Sequence, residues 1–127
     1  MTTREARCSC GQLRVTCEGE PAIVALCHCR ECQRRTGSTY GVAAFFPRKA
    51  VVVSGAYVDY ERPADSGSRV LHHFCPACGS TVLWEPSRRP ELMAVAVGAF
   101  ADPAFPAPQK VVFEQHRHPW AAVALGG

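Results

Sequence analysis

Seven of the eight cysteines in this 127-residue chain fall into three closely spaced groups. The groups are Cys8 and Cys10; Cys27, Cys29 and Cys32; and Cys75 and Cys78. Thiolates two or three residues apart can bind one tetrahedral ion where the backbone between them turns tightly, and such groups separated by a long stretch of chain are typical of structural zinc. Gly11 and Gly79 directly follow the first and last groups and permit the positive φ that closes such a turn. The spacing therefore predicts a zinc protein.

A tetrahedral zinc ion takes four ligands, so seven clustered cysteines fill one site and leave a second site one ligand short. The closed, structural site, which we call the four-cysteine site, is expected to take Cys8, Cys10, Cys75 and Cys78. The open site, which we call the three-cysteine site, is expected to take Cys27, Cys29 and Cys32. These three are the candidate catalytic residues, because water or a substrate thiol binds with a lowered pKa at an open position on zinc.

The eighth cysteine, Cys17, lies in a stretch of alternating apolar and polar residues, on the same face as Leu13 and Val15. We therefore expect Cys17 to be a buried core thiol, and the alternative is that it completes the open site. An iron–sulfur cluster is a further alternative for the cysteine groups, but their spacings match none of the standard ferredoxin patterns.

The composition and the charge pattern limit which compartment and which partners we expect. The charged residues at the N-terminus are not followed by an apolar stretch, so we expect no export signal and a cytoplasmic compartment. In that compartment clustered cysteines more often bind metal than form disulfides. No stretch reaches the roughly 18 apolar residues of a membrane span, so no membrane partner is expected. The net charge of +3 is small and dispersed, which disfavours a nucleic-acid partner. Seven ligand thiolates and two zinc ions would bring that charge to about zero.

The elements that must position these cysteines are mostly β-strands in a single domain spanning residues 1–127. Ten glycines and ten prolines interrupt the chain, and 14 valines against six leucines favour pleated sheet over helix. Alternation predicts a strand at 12–18, and one short helix is predicted at residues 30–36, closed by Gly37. Apolar runs predict further strands at 23–26, 42–46, 51–53, 58–60, 70–74, 81–84, 92–97 and 110–113.

Four ordered motifs and a closing Pro119-Trp120 pair carry a family resemblance. The motifs are Cys-Ser-Cys-Gly at 8–11, Cys-His-Cys-Arg-Glu-Cys-Gln-Arg-Arg-Thr-Gly-Ser at 27–38, Phe-Cys-Pro-Ala-Cys-Gly-Ser at 74–80 and Val-Gly-Ala-Phe-Ala-Asp-Pro at 97–103. Over about residues 6–120 the chain resembles the glutathione-dependent formaldehyde-activating enzyme family, which includes centromere protein V. The resemblance implies a zinc-stabilised β-tent fold of several short antiparallel strands, with two zinc ions partitioned between the cysteines as above.

The resemblance also implies an activity. The family's founding enzyme joins glutathione to formaldehyde to give S-hydroxymethylglutathione, a carbon–sulfur lyase reaction run in reverse, so a small thiol such as glutathione is the expected partner and co-substrate. Arginine binds carboxylates bidentately, and the family-like loop offers small polar groups. The expected glutathione contacts are Arg30, Arg34, Arg35, Gly37 and Ser38. The alternative for the arginines is a solvated helix face, and the alternative function is a non-catalytic zinc module that binds protein or nucleic acid.

Histidines and a tryptophan complete the expectations. His28, between two zinc ligands, is expected to face solvent or orient its loop, and the alternative is a proton carrier. Trp120 is expected to cap the core. The remaining histidines have no ligand spacing and are expected at the surface or in the core; they are His72, His73, His116 and His118.

Overall fold

The computed structural model describes residues 2–63 and 67–124 and confirms the mostly β architecture. This part of the chain contains ten strands, one α-helix and three short 3-10 turns. The elements are β1 (Thr3–Arg7), β2 (Arg14–Glu18), β3 (Ile23–Cys27), α1 (Arg30–Thr36), β4 (Gly41–Pro47), β5 (Val51–Ser54), β6 (Val58–Pro63), β7 (Arg69–Phe74), β8 (Thr81–Pro86), β9 (Leu92–Ala96) and β10 (Lys110–Val112). Among the residues described, no helix has the length and apolar character of a membrane span.

The strands form two sheets, a three-stranded one in the order β1-β2-β5 and a seven-stranded one in the order β10-β3-β4-β9-β8-β7-β6. Neighbouring strands are antiparallel except for β10, which runs parallel to β3 with Lys110 opposite Ala25. A parallel neighbour requires a crossover rather than a hairpin, and here the chain passes from β9, two strands away from β3, to the outer side of β3.

The main core lies where the two sheets meet. Leu13, Val15 and Cys17 are fully buried on the inward face of β2 and pack with residues such as Phe46 and Leu83 from the larger sheet. The prediction for Cys17 is thereby confirmed, and burial raises the pKa of its thiol to about 12.

The predicted elements agree with the structure to within three residues at their ends, and the structure adds one strand. The structure adds β1, whose sequence Thr-Arg-Glu-Ala-Arg buries only Ala6 and therefore shows no apolar alternation. The predicted strand at 92–97 ends at Ala96, because a 3-10 turn begins at Val97. The helix spans Arg30–Thr36 as predicted, and Gly37 closes it in the left-handed conformation at φ 69°.

The edge strand β6 is tied to the sheet through a buried histidine. His73 on β7 is 3% exposed, and its two ring nitrogens contact Asp59 on β6 at 2.6 Å and Glu85 on β8 at 2.5 Å. Glu85 also accepts a hydrogen bond from Arg48 at 2.7 Å. This chain of contacts fixes the position of β6, which carries a residue of the candidate site.

Candidate metal centres and the adjoining cavities

The four-cysteine site brings its sulfurs close enough for one ion. The ligand atoms of Cys8, Cys10, Cys75 and Cys78 lie within 4.8 Å of one another. The Sγ atom of Cys10 is 3.6 Å from that of Cys8 and 3.7 Å from that of Cys75. Tetrahedral zinc with bonds of about 2.3 Å places its sulfurs about 3.8 Å apart. The donor set and its spacing therefore fit a structural zinc ion.

Local turns and hydrogen bonds hold these sulfurs in place. Cys75 follows β7 and accepts hydrogen bonds at its Sγ from the side chain of Gln12 at 3.0 Å and from the Ala77 N–H at 3.3 Å. Gly79, at φ 79°, donates its N–H to the Cys75 carbonyl and closes the turn. A hydrogen bond from Ser80 lowers the pKa of Cys78 to about 5. The site joins β1 of the small sheet to β7 of the large one.

The three-cysteine site forms at the start of α1. Cys27 ends β3, Cys29 is the N-cap of α1 and Cys32 lies in its first turn. The Cys32 N–H donates to the Cys29 Sγ at 3.2 Å, in the manner of an N-cap. Hydrogen bonds from the Cys27 and Cys32 thiols lower the pKa of Cys29 far below its usual range, and the same contact with Cys29 raises the pKa of Cys27.

The ligand atoms of this site also lie within 4.8 Å of one another, and a soft thiolate set suits zinc. Within residues 2–63 and 67–124, no further His, Cys, Asp or Glu joins the group, and Cys17 lies elsewhere in the core. A tetrahedral ion bound here would take its fourth ligand from outside this set.

A small cavity of about 170 Å³, which we call the inner cavity, borders the three-cysteine site. Its other walls combine apolar side chains with two guanidinium groups, and they include Phe45, Trp84, Val112, Arg35 and Arg62. A second cavity of about 380 Å³, which we call the basic cleft, shares Arg35 and Arg62 with it and adds Arg34, Tyr60 and His72.

A third cavity of about 210 Å³, which we call the far cleft, lies on the other side of the inner cavity. It shares Ala25, Phe45 and Val112 with the inner cavity and adds Lys110 and Arg89. The three-cysteine site therefore lies in the middle of a groove that has cationic side chains toward both ends.

Of the two arginines at the boundary of the inner cavity, Arg62 is buried and Arg35 is half-buried. Arg62 on β6 is 8% exposed, and its Nε donates to the His72 Nε2 at 3.0 Å. The Arg35 guanidinium lies 4.2 Å from the centre of the Trp84 ring. Burial, followed by the charges of Arg62 and Arg35, lowers the pKa of His72 to about 4, so His72 is neutral and accepts the Arg62 hydrogen bond.

The expected glutathione contacts divide into two groups. Arg34 and Arg35 line the basic cleft, and Arg34 is exposed and paired with Glu31 at 2.6 Å. Arg30, Gly37 and Ser38 are exposed and line none of the three cavities.

The structure adds Arg62, His72 and Trp84, on β6, β7 and β8, which sequence reasoning did not place at the site. A signal existed for Arg62, because strand alternation puts it on the same face as Val58 and Tyr60, where an arginine is unexpected.

Trp120 differs from what the sequence suggested, whereas His28 takes one of the two roles expected for it. His28 is 2% exposed, its ring lies edge-on to Tyr40 at 5.9 Å, and its carbonyl accepts a hydrogen bond from Gln33 at 2.9 Å. It is therefore part of the packing that orients the cysteine loop and does not face solvent. Trp120 is 73% exposed, so the prediction that it caps the core was wrong. The centre of its ring lies 5.5 Å from the centre of the His118 ring, in an edge-to-face arrangement.

Comparisons with known proteins agree with this geometry. A family model described as glutathione-dependent formaldehyde-activating enzyme matches residues 3–116. Among solved structures, a crystal structure of a Rhodobacter sphaeroides protein is similar, with 23% sequence identity over 84% of this chain and 98% of that chain, and a TM-score of 0.64. At this identity the likeness shows the fold alone. None of the curated proteins compared matches the chain significantly.

Proposed function

Because the chain belongs to the glutathione-dependent formaldehyde-activating enzyme family, we propose that it adds the thiol of glutathione, or of a similar small thiol, to formaldehyde or another small aldehyde. Formally this is a carbon–sulfur lyase reaction run in reverse. The observation that carries the proposal is the three-cysteine site, which lacks a fourth ligand among the described residues and borders the inner cavity. The missing ligand, and not the adjoining space, distinguishes this site, because a cavity of about 480 Å³ also borders Cys8 of the four-cysteine site.

The groove suits a thiol flanked by carboxylates. Glutathione carries its thiol in the central residue and a carboxylate at each end, and the three-cysteine site lies between two clefts with cationic side chains. Arg34 at the basic cleft and Lys110 at the far cleft are both exposed and within reach of solvent anions. A guanidinium binds a carboxylate bidentately and an ammonium binds it as a point charge. The charge pattern therefore supports a dicarboxylate thiol as substrate.

The chain's own residues prepare the reaction in the inner cavity. A zinc ion held by Cys27, Cys29 and Cys32 would lower the pKa of a thiol that enters this space. Phe45 and Val112 line the cavity with apolar surface, which excludes water and strengthens the charges inside it. In the addition, the thiol sulfur bonds to the carbonyl carbon, the C–O π bond opens, and the thiol proton ends on the oxygen.

Metal analysis and calorimetry test the proposal together. Protein purified without added metal should contain two zinc ions per chain and bind glutathione saturably, whereas S-methylglutathione, which lacks a free thiol, should bind at least tenfold more weakly. Nuclear magnetic resonance with ¹³C-formaldehyde should show S-hydroxymethylglutathione forming faster with the protein than without it. Cys29→Ser should lose one zinc ion and glutathione binding, and the matched control Cys17→Ala should keep both.

One zinc ion per chain with no thiol binding would remove the catalytic assignment. A structural zinc module that binds a macromolecule would then be the better description.

A further inference from the structure

Two arginines line the inner cavity, the buried Arg62 and the half-buried Arg35. Among residues 2–63 and 67–124, each arginine that pairs with a carboxylate is more exposed than Arg62, as in the pairs of Arg34 with Glu31 and Arg48 with Glu85. Neither Arg35 nor Arg62 has a carboxylate partner in this part of the chain. A buried charge is costly unless an opposite charge or hydrogen bonds compensate it. The two guanidinium groups therefore require an anion at the inner cavity.

The cysteines account for only part of this requirement. Three thiolates and one divalent ion leave a single negative charge, and two guanidinium groups exceed it by one. An incoming thiolate supplies the missing charge. When that thiolate adds to a carbonyl, the charge moves from sulfur to oxygen, so a group that pairs with it must also reach the oxygen.

Arg62 is held in place with part of its guanidinium unused. Its Nε donates to His72 and its Nη1 donates to the Pro63 carbonyl at 3.2 Å. Its Nη2 has no hydrogen-bond partner among the described residues, and the side chain lines both the inner cavity and the basic cleft. A fixed fork with a free amino group is preorganised to bind an oxygen anion.

Arg35 is the second guanidinium group that lines the inner cavity. Its guanidinium stacks on Trp84, and its buried Nε has no hydrogen-bond partner among the described residues. A Cβ at Gly41 would lie 2.6 Å from the Arg35 Nη2, so the glycine makes room for this head group. The stacking fixes the second positive charge beside the cavity.

We propose that Arg62, supported by Arg35, is a further catalytic residue whose guanidinium binds the carbonyl oxygen of the aldehyde and holds the negative charge that develops there. The inference rests on the proposed function, since it concerns the addition of a thiol to an aldehyde. The thiolate sulfur forms a bond to carbon, and the C–O π electron pair becomes an alkoxide that pairs with Arg62. Arginine does not release its proton at neutral pH, so water from the basic cleft returns to the alkoxide the proton lost by the thiol.

Formate is the probe, because it is a one-carbon compound like formaldehyde with a negative charge on oxygen. Zinc-loaded wild-type protein should bind formate in calorimetric titration, and formate should inhibit competitively with formaldehyde but not with glutathione. Arg62→Met should weaken formate binding at least tenfold and lower kcat 100- to 1,000-fold, the range for loss of one oxyanion donor. Its zinc content and its dissociation constant for glutathione should stay within about twofold of wild type.

Two further variants make the result specific. Arg62→Lys keeps the charge but loses the fork, and should recover part of the formate affinity and of kcat. Arg88→Met removes an exposed arginine that lines none of the three cavities and should leave formate affinity and kcat unchanged. If Arg62→Met does not fold, the competition pattern in the wild-type protein and the Arg62→Lys variant carry the test.

The outcomes separate this inference from the proposed function. Formate that fails to bind wild-type protein, or binds Arg62→Met equally well, overturns the role of Arg62 while glutathione binding leaves the thiol chemistry standing. Equal loss of kcat and glutathione affinity in Arg62→Met also overturns it, because that pattern indicates a structural role. Absence of glutathione binding in the wild-type protein overturns both proposals.

Discussion

Replacing Cys75 by serine should unfold this domain, whereas replacing Cys29 by serine should leave it folded. Cys75 is fully buried, and its Sγ lies 3.7 Å from that of Cys10, which is 65 positions away in the turn between β1 and β2 of the small sheet. Binding of a structural zinc ion contributes about 10–16 kcal/mol in peptide sites, and a whole domain is stable by about 5–15 kcal/mol. Loss of even half of the zinc contribution, about 5–8 kcal/mol, is therefore comparable to the stability of a whole domain.

The cost at Cys29 is smaller because of where it lies. Cys29 caps a seven-residue helix and its Sγ accepts the Cys32 N–H. A serine hydroxyl accepts the same hydrogen bond and is a preferred N-cap, so the helix start should survive at a cost of about 1 kcal/mol or less. The zinc ion of the three-cysteine site is lost, but this site joins only neighbouring elements and not the two sheets.

Circular dichroism, thermal melts and elemental analysis check this pair of variants. Cys75→Ser should lack a cooperative melt, and Cys29→Ser should melt cooperatively with one zinc ion per chain. Cys17→Ala is the matched control, since it removes a buried thiol that belongs to neither site. A folded Cys75→Ser protein together with an unfolded Cys29→Ser protein would refute the division into a structural and a catalytic site.

Three further perturbations follow from the structure. The pKa of His72 is lowered from 6.5 to about 4, so the folded state resists protonation of this side chain. The free energy of unfolding should therefore fall by up to about 3 kcal/mol as the pH drops from 6.5 to 4. Denaturant titrations at these pH values measure the fall in the wild type, and His72→Gln should remove it. Gly55→Ala should destabilise the fold by about 2 kcal/mol or more, measured the same way, because Gly55 is at φ 99° and a Cβ would lie 1.9 Å from the Gln12 carbonyl oxygen. Native protein treated with iodoacetamide should remain unmodified at Cys17 by mass spectrometry, because its thiol is buried and its pKa is raised to about 12; rapid alkylation there would contradict the burial.

Sequence spacing was sufficient for the features that depend on neighbours in the chain. Two cysteines within three residues share a turn, so the groups around Cys8, Cys29 and Cys75 could be recognised without a fold. The helix and its cap at Gly37 are local in the same sense. That the first and last groups combine was inferred from ligand number, and the geometry brings their sulfurs together.

Arg62 and Trp84 show what spacing could not provide. They reach the inner cavity through the pairing of β6 with β7 and of β7 with β8, in a register that sets His72 opposite both Tyr60 and Trp84. A shift of one residue would turn each side chain to the opposite face. Strand β1 was missed for a different reason, because four of its five residues are polar and its sheet pairing, not its composition, defines it.

Under the proposed function, the two cysteine sites divide the tasks of folding and chemistry between different parts of the chain. The four-cysteine site joins the small sheet to the large one, so its ion is expected to stabilise the fold as a whole. The three-cysteine site is held by one strand end and one short helix, and its other walls come from strands that the fold has already positioned. A substrate can therefore supply the fourth ligand at this site without straining the sheets. If Arg62 acts on the carbonyl oxygen, the reacting thiol meets groups on β3 and α1, and the reacting oxygen meets a group on β6, near the other end of the larger sheet. Catalysis therefore requires the complete fold, even though metal binding at the three-cysteine site requires only a local turn.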